Sequence, residues 1–301
     1  MSAPDPSPTD RARSAAESPA VEASLAEPVN GVPSPHAQRV MLEVAYDGRP
    51  YAGFVKQPNA HTVAAELESA ISRLDPAASQ LTCASRTDSG VHARHQIVSF
   101  VTQRAIPARG WVLGLKPHLP DTVTVVGAGL VRAEFDPRLD PLWKRYRYRV
   151  LMSPVADPFE AGRAYWILGS LRLGVMQLAA QTLVGEHDFR AFRSARDQRT
   201  STIRRVDSVM VESSSSDARR VDIVVSGNRF LHNMVRIIAG TLVDIGRGRR
   251  DADCLVRALS SGHREDLGMT APAHGLYLEH VELATQIVDR FPPLQSRNVG
   301  S

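Results

Sequence analysis

Apolar and polar residues follow regular patterns through most of residues 38–285, and each pattern predicts one kind of element. Alternation with a period of two predicts strands, and apolar positions three and four apart predict helices. The first predicted strand begins near Arg39 and ends at the turn pair Asp47-Gly48. Its alternating apolar residues are Val40, Leu42, Val44 and Tyr46.

The first predicted helix follows this strand and has clear end signals. Thr62 is a candidate N-cap, and Pro76 stops the pattern. The apolar residues between them, at helical spacing, are Val63, Leu67, Ala70, Ile71 and Leu74.

The remaining patterns predict an α+β protein with two halves of similar size. Strands are predicted over 96–101, 122–126, 145–151, 206–212, 221–226 and 276–283, and helices over 173–184, 230–244 and 253–259. Gly185 is expected to close the second helix. The proline-containing segment 152–160 is the predicted boundary, which gives halves of 38–152 and 153–285.

Both ends of the chain are predicted to lie outside these halves. Residues 1–37 contain seven prolines and eight alanines, few large apolar residues and no periodicity. Such a composition buries too little apolar surface to offset chain entropy, so we expect a disordered tail. Residues 286–301 are expected to be a second, loose tail.

Positive charge is concentrated in the body of the chain. Residues 1–37 carry five acidic and two basic residues, a net charge of −3, whereas the whole chain carries +4, which leaves +7 for the rest. All basic residues except three lysines are arginines. Arginine pairs with phosphate through two hydrogen bonds and stacks on bases, so nucleic-acid binding is one interpretation. A GC-rich genome that favours arginine codons is the other.

The sequence argues against secretion and membrane insertion. It contains no apolar run of bilayer length and no basic-then-apolar signal pattern at its start. Its two cysteines, Cys83 and Cys254, lie far apart, and two reduced, buried thiols in a cytoplasmic protein are the favoured interpretation over one long-range disulfide.

Three segments carry candidate chemistry. Asp88 lies in a polar turn, Arg86 to His92, between the first helix and the next strand, where a carboxylate is accessible to substrates. Composition alone favours a purely structural turn. In the strand 145–151, Tyr146 shares a face with Tyr148, and the arginines of the strand share the other face. In the helix 230–244, His232 and Arg236 lie together, away from the apolar stripe.

Ordered strings of residues over about 38–285 resemble the bacterial tRNA pseudouridine synthase A family, whose motif reads Gly-Arg-Thr-Asp-Ala-Gly-Val-His. Besides the Asp88 turn, the matching strings are Tyr46-Asp47-Gly48, Tyr51-Ala52-Gly53, Gln57-Pro58, Leu119-Pro120, Phe135 with Arg138, Tyr146-Arg147-Tyr148, Gly185 to Phe189 with Phe192, Phe230 to Arg236, and Gly275 to Leu278. The departures are Ser85 and Ser89 for Gly and Ala, Phe54-Val55 for Trp-Gln, Lys116 for Asn, and Asp136 for His. They leave the carboxylate, the tyrosine and the helix arginine in place.

The resemblance implies a fold in which both halves join through a mixed, mainly antiparallel central sheet with the active cleft across it. It implies isomerisation of uridine to pseudouridine at positions 38–40 of the tRNA anticodon arm, by a cytoplasmic homodimer without cofactor or metal. Asp88 is then the catalytic carboxylate, paired with Arg236, while Tyr146 packs on the uracil. Arg86 is placed to fill the gap left by the flipped nucleotide. The chemical step stays open between attack of Asp88 on C6, attack on C1′ and removal of the ribose 2′ proton.

Arginines outside this site are candidates for contact with RNA phosphates, namely Arg145, Arg147 and Arg190. Two other functions compete with the isomerase. A nucleoside or glycoside hydrolase needs a second carboxylate, for which Glu186 and Asp188 are the candidates. The other competing function is that of a catalytically silent RNA-binding protein, and the presence of Asp88, Tyr146 and Arg236 argues against it. His187-Asp188 alone is a weak metal motif, and a structural role at a helix end is favoured for Gly185 to Phe189.

Overall fold

The computed structural model describes residues 37–292, so the predicted tail 1–37 lies outside the described residues except for Ala37, as does 293–301. Eleven strands and five helices follow in chain order. They are β1 (Gln38–Tyr46), α1 (Val63–Leu74), β2 (Thr82–Cys83), β3 (His92–Thr102), α2 (Ala108–Leu115), β4 (Val123–Val131), β5 (Pro141–Met152), β6 (Tyr165–Ile167), α3 (Leu173–Gln181), β7 (Gly185–Asp188), β8 (Ile203–Ser213), β9 (Arg220–Gly227), α4 (Met234–Gly246), α5 (Cys254–Ser261), β10 (Leu276–Leu283) and β11 (Val288–Phe291).

All eleven strands form one mixed sheet, which confirms the predicted α+β class. Its order is β11-β4-β1-β3-β10-β5-β9-β8-β7, with β2 paired to β3 and β6 paired to β5. Most pairs are antiparallel, and the parallel pair β3–β10 joins the two sides of the sheet through two residue pairs, Tyr277 with His92 and Leu278 with Ala93. The rings of His92 and Tyr277 stack at 4.5 Å across this joint. The Asp88 turn immediately precedes β3, so it lies at the joint.

The predicted boundary near residue 152 does not coincide with the joint of the sheet. Strand β5 was assigned to the first half, but it pairs with β9 and β10, which come from the second. Strands β1, β3 and β4 lie on one side of the sheet and β5, β7, β8 and β9 on the other, so the chain crosses between them before residue 141. It returns at β10, which begins at residue 276 and inserts between β3 and β5.

Local sequence signals explain where α1 begins and ends, whereas tertiary packing explains why α2 forms. The Thr62 side chain accepts a hydrogen bond from the Ala65 N–H, and the helix ends at Leu74, before Pro76, as predicted. Helix α2 was not predicted, because Gly110 and Gly114 weaken its helical propensity. Its Trp111 is fully buried edge-on against Phe100 of β3, at 5.0 Å, and this packing stabilises the helix.

Other predicted boundaries need correction. Helix α3 ends at Gln181, and Gly185, expected to close it, starts β7 with φ +117°. Helix α4 begins at Met234 instead of residue 230, because Asn233 adopts a left-handed backbone with φ 65° that interrupts the helix. Strand β11 lies inside the predicted tail 286–301, since it pairs with the outer edge of β4.

The two faces of β5 have different environments. Tyr146 and Tyr148 point towards the Asp88 turn and the segment before β10, where the Tyr148 hydroxyl donates to the Pro272 carbonyl at 2.8 Å. Arg145, Arg147 and Arg149 alternate with them and therefore lie on the opposite face.

None of the helices between residues 37 and 292 combines the length and apolar character needed to cross a bilayer. Cys83 and Cys254 are both free thiols, which confirms the expectation that they form no disulfide; Cys254 is buried, whereas Cys83 is half-buried. Burial raises the pKa of Cys83 to about 11, so this thiol is protonated at neutral pH.

Candidate active site

Asp88 lies in a tight turn between β2 and β3. The Val91 N–H donates to the Asp88 carbonyl at 3.1 Å, and Gly90 has φ +77°, which favours glycine at this turn position. The Asp-Ser-Gly string therefore does form the structural turn that its composition suggests. The same turn places the one carboxylate of the segment 84–91 beside the start of α4.

Close contacts with neighbouring loops and strands fix the position of the Asp88 turn. The Tyr46 hydroxyl bonds with the Thr87 hydroxyl at 2.7 Å, and the Phe54 N–H donates to the Thr87 carbonyl at 3.1 Å. Gly53 has φ +115°, and a Cβ atom there would lie 2.9 Å from the Thr87 carbonyl oxygen. The backbone next to Asp88 thus packs directly against Gly53, and a larger residue at position 53 would displace that backbone.

Strands β3 and β5 hold the start of the same segment. The Gln96 side chain accepts from the Ser85 N–H at 3.1 Å and donates to the Ser85 carbonyl at 2.7 Å. The Lys144 Nζ donates to the Ala84 carbonyl at 2.5 Å, and the Ser85 and Tyr146 hydroxyls lie 2.5 Å apart. Three side chains of the sheet therefore position the backbone that leads into Asp88.

The predicted ion pair between Asp88 and Arg236 is confirmed, with 3.0 Å between Oδ2 and Nη1. The Arg236 side chain is held independently of this pair. Its Nε donates to the Ala271 carbonyl and its Nη1 to the Asn233 Oδ1, both at 2.9 Å. The left-handed backbone of Asn233 brings that amide onto the guanidinium, so the interruption of the predicted helix also organises the site.

A second donor reaches the other oxygen of the carboxylate. His232 Nε2 lies 3.1 Å from Asp88 Oδ1. The His232 N–H donates to Asp197 Oδ2 at 2.8 Å, which fixes the turn that carries the imidazole. This hydrogen bond and the Arg199 N–H lower the pKa of Asp197 against the opposing effect of its burial. Arginine and histidine together thus engage both oxygens of Asp88, and the carboxylate has a defined orientation.

Tyr146 lies in the site but is largely covered. It is 7% exposed, and the Phe230 ring packs edge-on against it at 5.1 Å. Burial raises the pKa of Tyr146 to about 12, although the bond from Ser85 opposes the shift. The side chain is therefore a neutral phenol at neutral pH that can donate or accept a hydrogen bond.

The other predicted residues do not gather around Asp88. Arg86 is exposed and has no hydrogen-bond or ionic partner among residues 37–292. Arg145 and Arg147 lie on the opposite face of β5, because they alternate with Tyr146, and Arg147 Nη1 pairs with Asp222 at 2.6 Å. Arg190 donates to Asp188 Oδ2 through Nε at 2.7 Å. Contact of Arg145, Arg147 and Arg190 with RNA stays a prediction.

Neither Glu186 nor Asp188, the candidates for the second carboxylate of a hydrolase, lies near Asp88. Glu186 and Asp188 belong to β7 at the edge of the sheet, five strand positions from β3. At about 4.8 Å per strand this is roughly 24 Å, too far for the paired carboxylates of glycoside hydrolysis. Within residues 37–292, no group of three or more His, Cys, Asp or Glu side chains is arranged to hold a metal ion.

Two contributors to the site were not assigned from the sequence. The spacing of His232 and Arg236 indicated that they lie side by side, but gave no reason to pair His232 with Asp88. Ser85 was noted only as a departure from the family motif. Its contact with Tyr146 depends on strand β5, which is distant in sequence and close in the fold.

Comparison with known proteins gives consistent matches. A family model described as tRNA pseudouridine synthase matches residues 43–136 and 179–283. A protein from Myxococcus xanthus called tRNA pseudouridine synthase A is 42% identical over 243 residues, which cover 81% of this chain and 91% of that protein. Proteins with the same name from Halalkalibacterium halodurans and Pelobacter propionicus are 41% and 40% identical, over 79% and 80% of this chain and 90% and 98% of their own lengths.

Proposed function

The chain belongs to the tRNA pseudouridine synthase family, and we propose that it isomerises uridine to pseudouridine at positions 38–40 of the anticodon arm of tRNA. The observation that carries this proposal is the Asp88 carboxylate, engaged on one oxygen by Arg236 and on the other by His232. It is a single carboxylate in a shallow, partly exposed position, 24% accessible, where an extruded nucleotide can meet it.

The reaction defines what the site must supply. The bond between ribose C1′ and uracil N1 breaks, the base turns, a bond forms between C1′ and C5, and the C5 proton is replaced by a proton on N1. No electrons are gained or lost, so the balance requires no oxidant or reductant. It requires a carboxylate that assists bond cleavage, a surface that retains the detached base, and a route for the C5 proton.

Asp88 fills the first role, either as a nucleophile at C6 or C1′ or as a base at the ribose 2′ position. Arg236 and His232 supply the orientation, because a carboxylate with both oxygens engaged cannot rotate away from the reacting atoms. In this proposal the neutral Tyr146 phenol contacts the uracil and relays the C5 proton. With 7% exposure and the Phe230 ring packed against it, Tyr146 has little accessible surface, so packing on the uracil requires neighbouring side chains such as Phe230 to move.

Arg86 is the candidate for occupying the gap left by the extruded nucleotide, since it is exposed two residues from Asp88 and unpaired among residues 37–292. A homodimer that grips one tRNA and a cytoplasmic location are further parts of the proposal, supported by the family resemblance. Size-exclusion chromatography with light scattering tests the dimer, which a monomeric mass with and without tRNA contradicts.

The experiment that tests the function uses the full chain and an unmodified tRNA transcript with uridines in the anticodon arm. We expect carbodiimide labelling and primer extension to report pseudouridine at positions 38–40, and the Asp88→Ala variant to give none. Release of free uracil would establish a hydrolase instead. Tight binding without any isomerised nucleoside would establish a silent RNA-binding protein.

A further inference from the structure

Three arginines come from separate segments near the start of α4, and Arg204 interacts electrostatically with the other two. They are Arg199 in the loop before β8, Arg204 in β8 and Arg229 in the turn after β9, and we call them the arginine cluster. Arg204 shares its face of β8 with the buried Val206, whereas Arg205 faces away. None of the three belongs to the arginines expected from the sequence to contact RNA.

Backbone pairing brings two members of the cluster together. The Asn228 N–H donates to the Arg205 carbonyl at 3.1 Å, and the Arg205 N–H donates to the Asn228 Oδ1 at 3.2 Å. These two bonds place the neighbours Arg204 and Arg229 side by side, although they are far apart in sequence. The fold therefore imposes their proximity.

Within residues 37–292, Asp197 offsets part of the positive charge of the cluster through its ion pair with Arg199. The Arg229 side chain has no hydrogen bond or ion pair there, and Arg204 Nε is enclosed without a hydrogen-bond partner. Burial lowers the pKa of Arg204, and the charges of Arg199 and Arg229 lower it further, against the opposing charge of Asp197. Burial also lowers the pKa of Lys144 to about 8, again with contributions from Arg229 and Arg199. Cations held together in this way repel one another, and a bound polyanion offsets that repulsion.

A short chain of contacts connects the cluster with Asp88. Arg199 Nη1 donates to the Phe230 carbonyl at 2.7 Å, and Arg199 Nε lies 3.3 Å from Asp197 Oδ1. The other oxygen of Asp197 accepts from the His232 N–H, and the His232 imidazole reaches Asp88. An anion on the cluster would therefore sit in a fixed position relative to the candidate catalytic carboxylate.

We propose that Arg199, Arg204 and Arg229 form a phosphate subsite that binds the backbone of the substrate RNA beside the uridine delivered to Asp88. This inference rests on the proposed function. Guanidinium groups suit the ligand, because a guanidinium binds phosphate through charge-assisted hydrogen bonds. The subsite lies on the face of the sheet that carries Asp88, and so it can act on the same RNA segment as the carboxylate.

The test compares two double variants with the same change in net charge. Arg204→Gln with Arg229→Gln removes two cluster members and leaves Arg199, which also supports the Phe230 carbonyl. Arg219→Gln with Arg257→Gln is the matched control, because both residues are exposed and paired with local carboxylates, Asp217 and Asp251. Binding of an unmodified tRNA transcript is measured from low to high salt, and circular dichroism melting checks that each variant is folded.

We expect the plot of log affinity against log salt concentration to become shallower by roughly 1.4 to 1.8 in the cluster variant, for two lost phosphate contacts. The control should keep the wild-type slope, and Arg204→Lys with Arg229→Lys should restore it. An unchanged slope in the cluster variant, or an equal change in the control, would overturn the subsite. Pseudouridine formation by the wild type and the control is assayed in parallel, so failure of the proposed function is seen separately.

Discussion

Asp88 and Arg236 lie 148 positions apart in sequence and form a direct ion pair with 3.0 Å between Oδ2 and Nη1. The carboxylate comes from the turn before β3 and the guanidinium from the first turn of α4, so the pair spans the joint between the two sides of the sheet. Arg236 is also tied to Ala271 and Asn233. The Arg236 side chain is therefore held in one position, and its ion pair orients the Asp88 carboxylate.

The first prediction concerns Asp88 itself. Asp88→Ala should abolish pseudouridine formation, because no other carboxylate of the described residues lies within ion-pair distance of the Arg236 guanidinium or the His232 imidazole. Affinity for tRNA should stay within a few-fold of the wild type, since one partly exposed carboxylate contributes little to binding a polyanion. Labelling of modified tRNA and filter binding measure the two quantities. Retained turnover would remove Asp88 from the mechanism.

The second prediction concerns the shape of the cation. Arg236→Lys keeps the positive charge but loses the fork that binds Asp88, Ala271 and Asn233 together. Loss of one charge-assisted hydrogen bond in the transition state lowers the single-turnover rate by roughly 10- to 100-fold. Arg257→Lys, at an exposed position of α5, is the control and should match the wild type. Equal rates for the two variants would show that the ion pair does not organise the reaction.

Sequence patterns were sufficient to predict those parts of the site that depend on residues close together in the chain. The alternation around Tyr146 and the spacing from His232 to Arg236 state which residues share a face, and the family motif pairs Asp88 with Arg236. The core strands were predicted for the same reason, and β10 has the predicted limits, Leu276–Leu283.

Features created by non-local pairing could not be predicted in this way. Helix α2 depends on Trp111 packing against Phe100, which outweighs its two glycines. The arginine cluster depends on β8 and β9 placing Arg204 beside Arg229. The placement of β5 beyond β10 depends on the order of strands in the sheet, and no local pattern encodes that order.

The third prediction concerns Ser85, where the family motif has glycine. The Ser85 hydroxyl bonds with the buried Tyr146 hydroxyl at 2.5 Å, so Ser85→Ala leaves the phenol without this partner. Loss of one neutral hydrogen bond should lower the single-turnover rate by about 2- to 10-fold. Ser85→Thr keeps a hydroxyl and should recover most of the rate. If alanine, glycine and serine at this position gave the same rate, Ser85 would not position Tyr146.

The fourth prediction concerns stability against pH. Burial lowers the pKa values of His92, His274 and His280, with nearby cations or His95 contributing. In the unfolded chain the same imidazoles have pKa values of about 6.5. Below that pH the unfolded state binds more protons than the folded state, so the free energy of unfolding decreases as the pH falls. This contribution is fully present above the unfolded pKa and is lost as the pH falls through the folded values.

Urea unfolding at a series of pH values measures this dependence. His92 is the most informative position, because its Nδ1 accepts from the Gly48 N–H at 3.2 Å and its Nε2 lies 3.0 Å from the Gly162 carbonyl. His92→Gln should be less stable at neutral pH and should lose stability less steeply on acidification, since one depressed group is gone. His118→Gln, at an exposed position without an ion pair among the described residues, is the control and sets the background slope. A steeper or unchanged slope for His92→Gln would exclude burial of this imidazole as a source of the acid sensitivity.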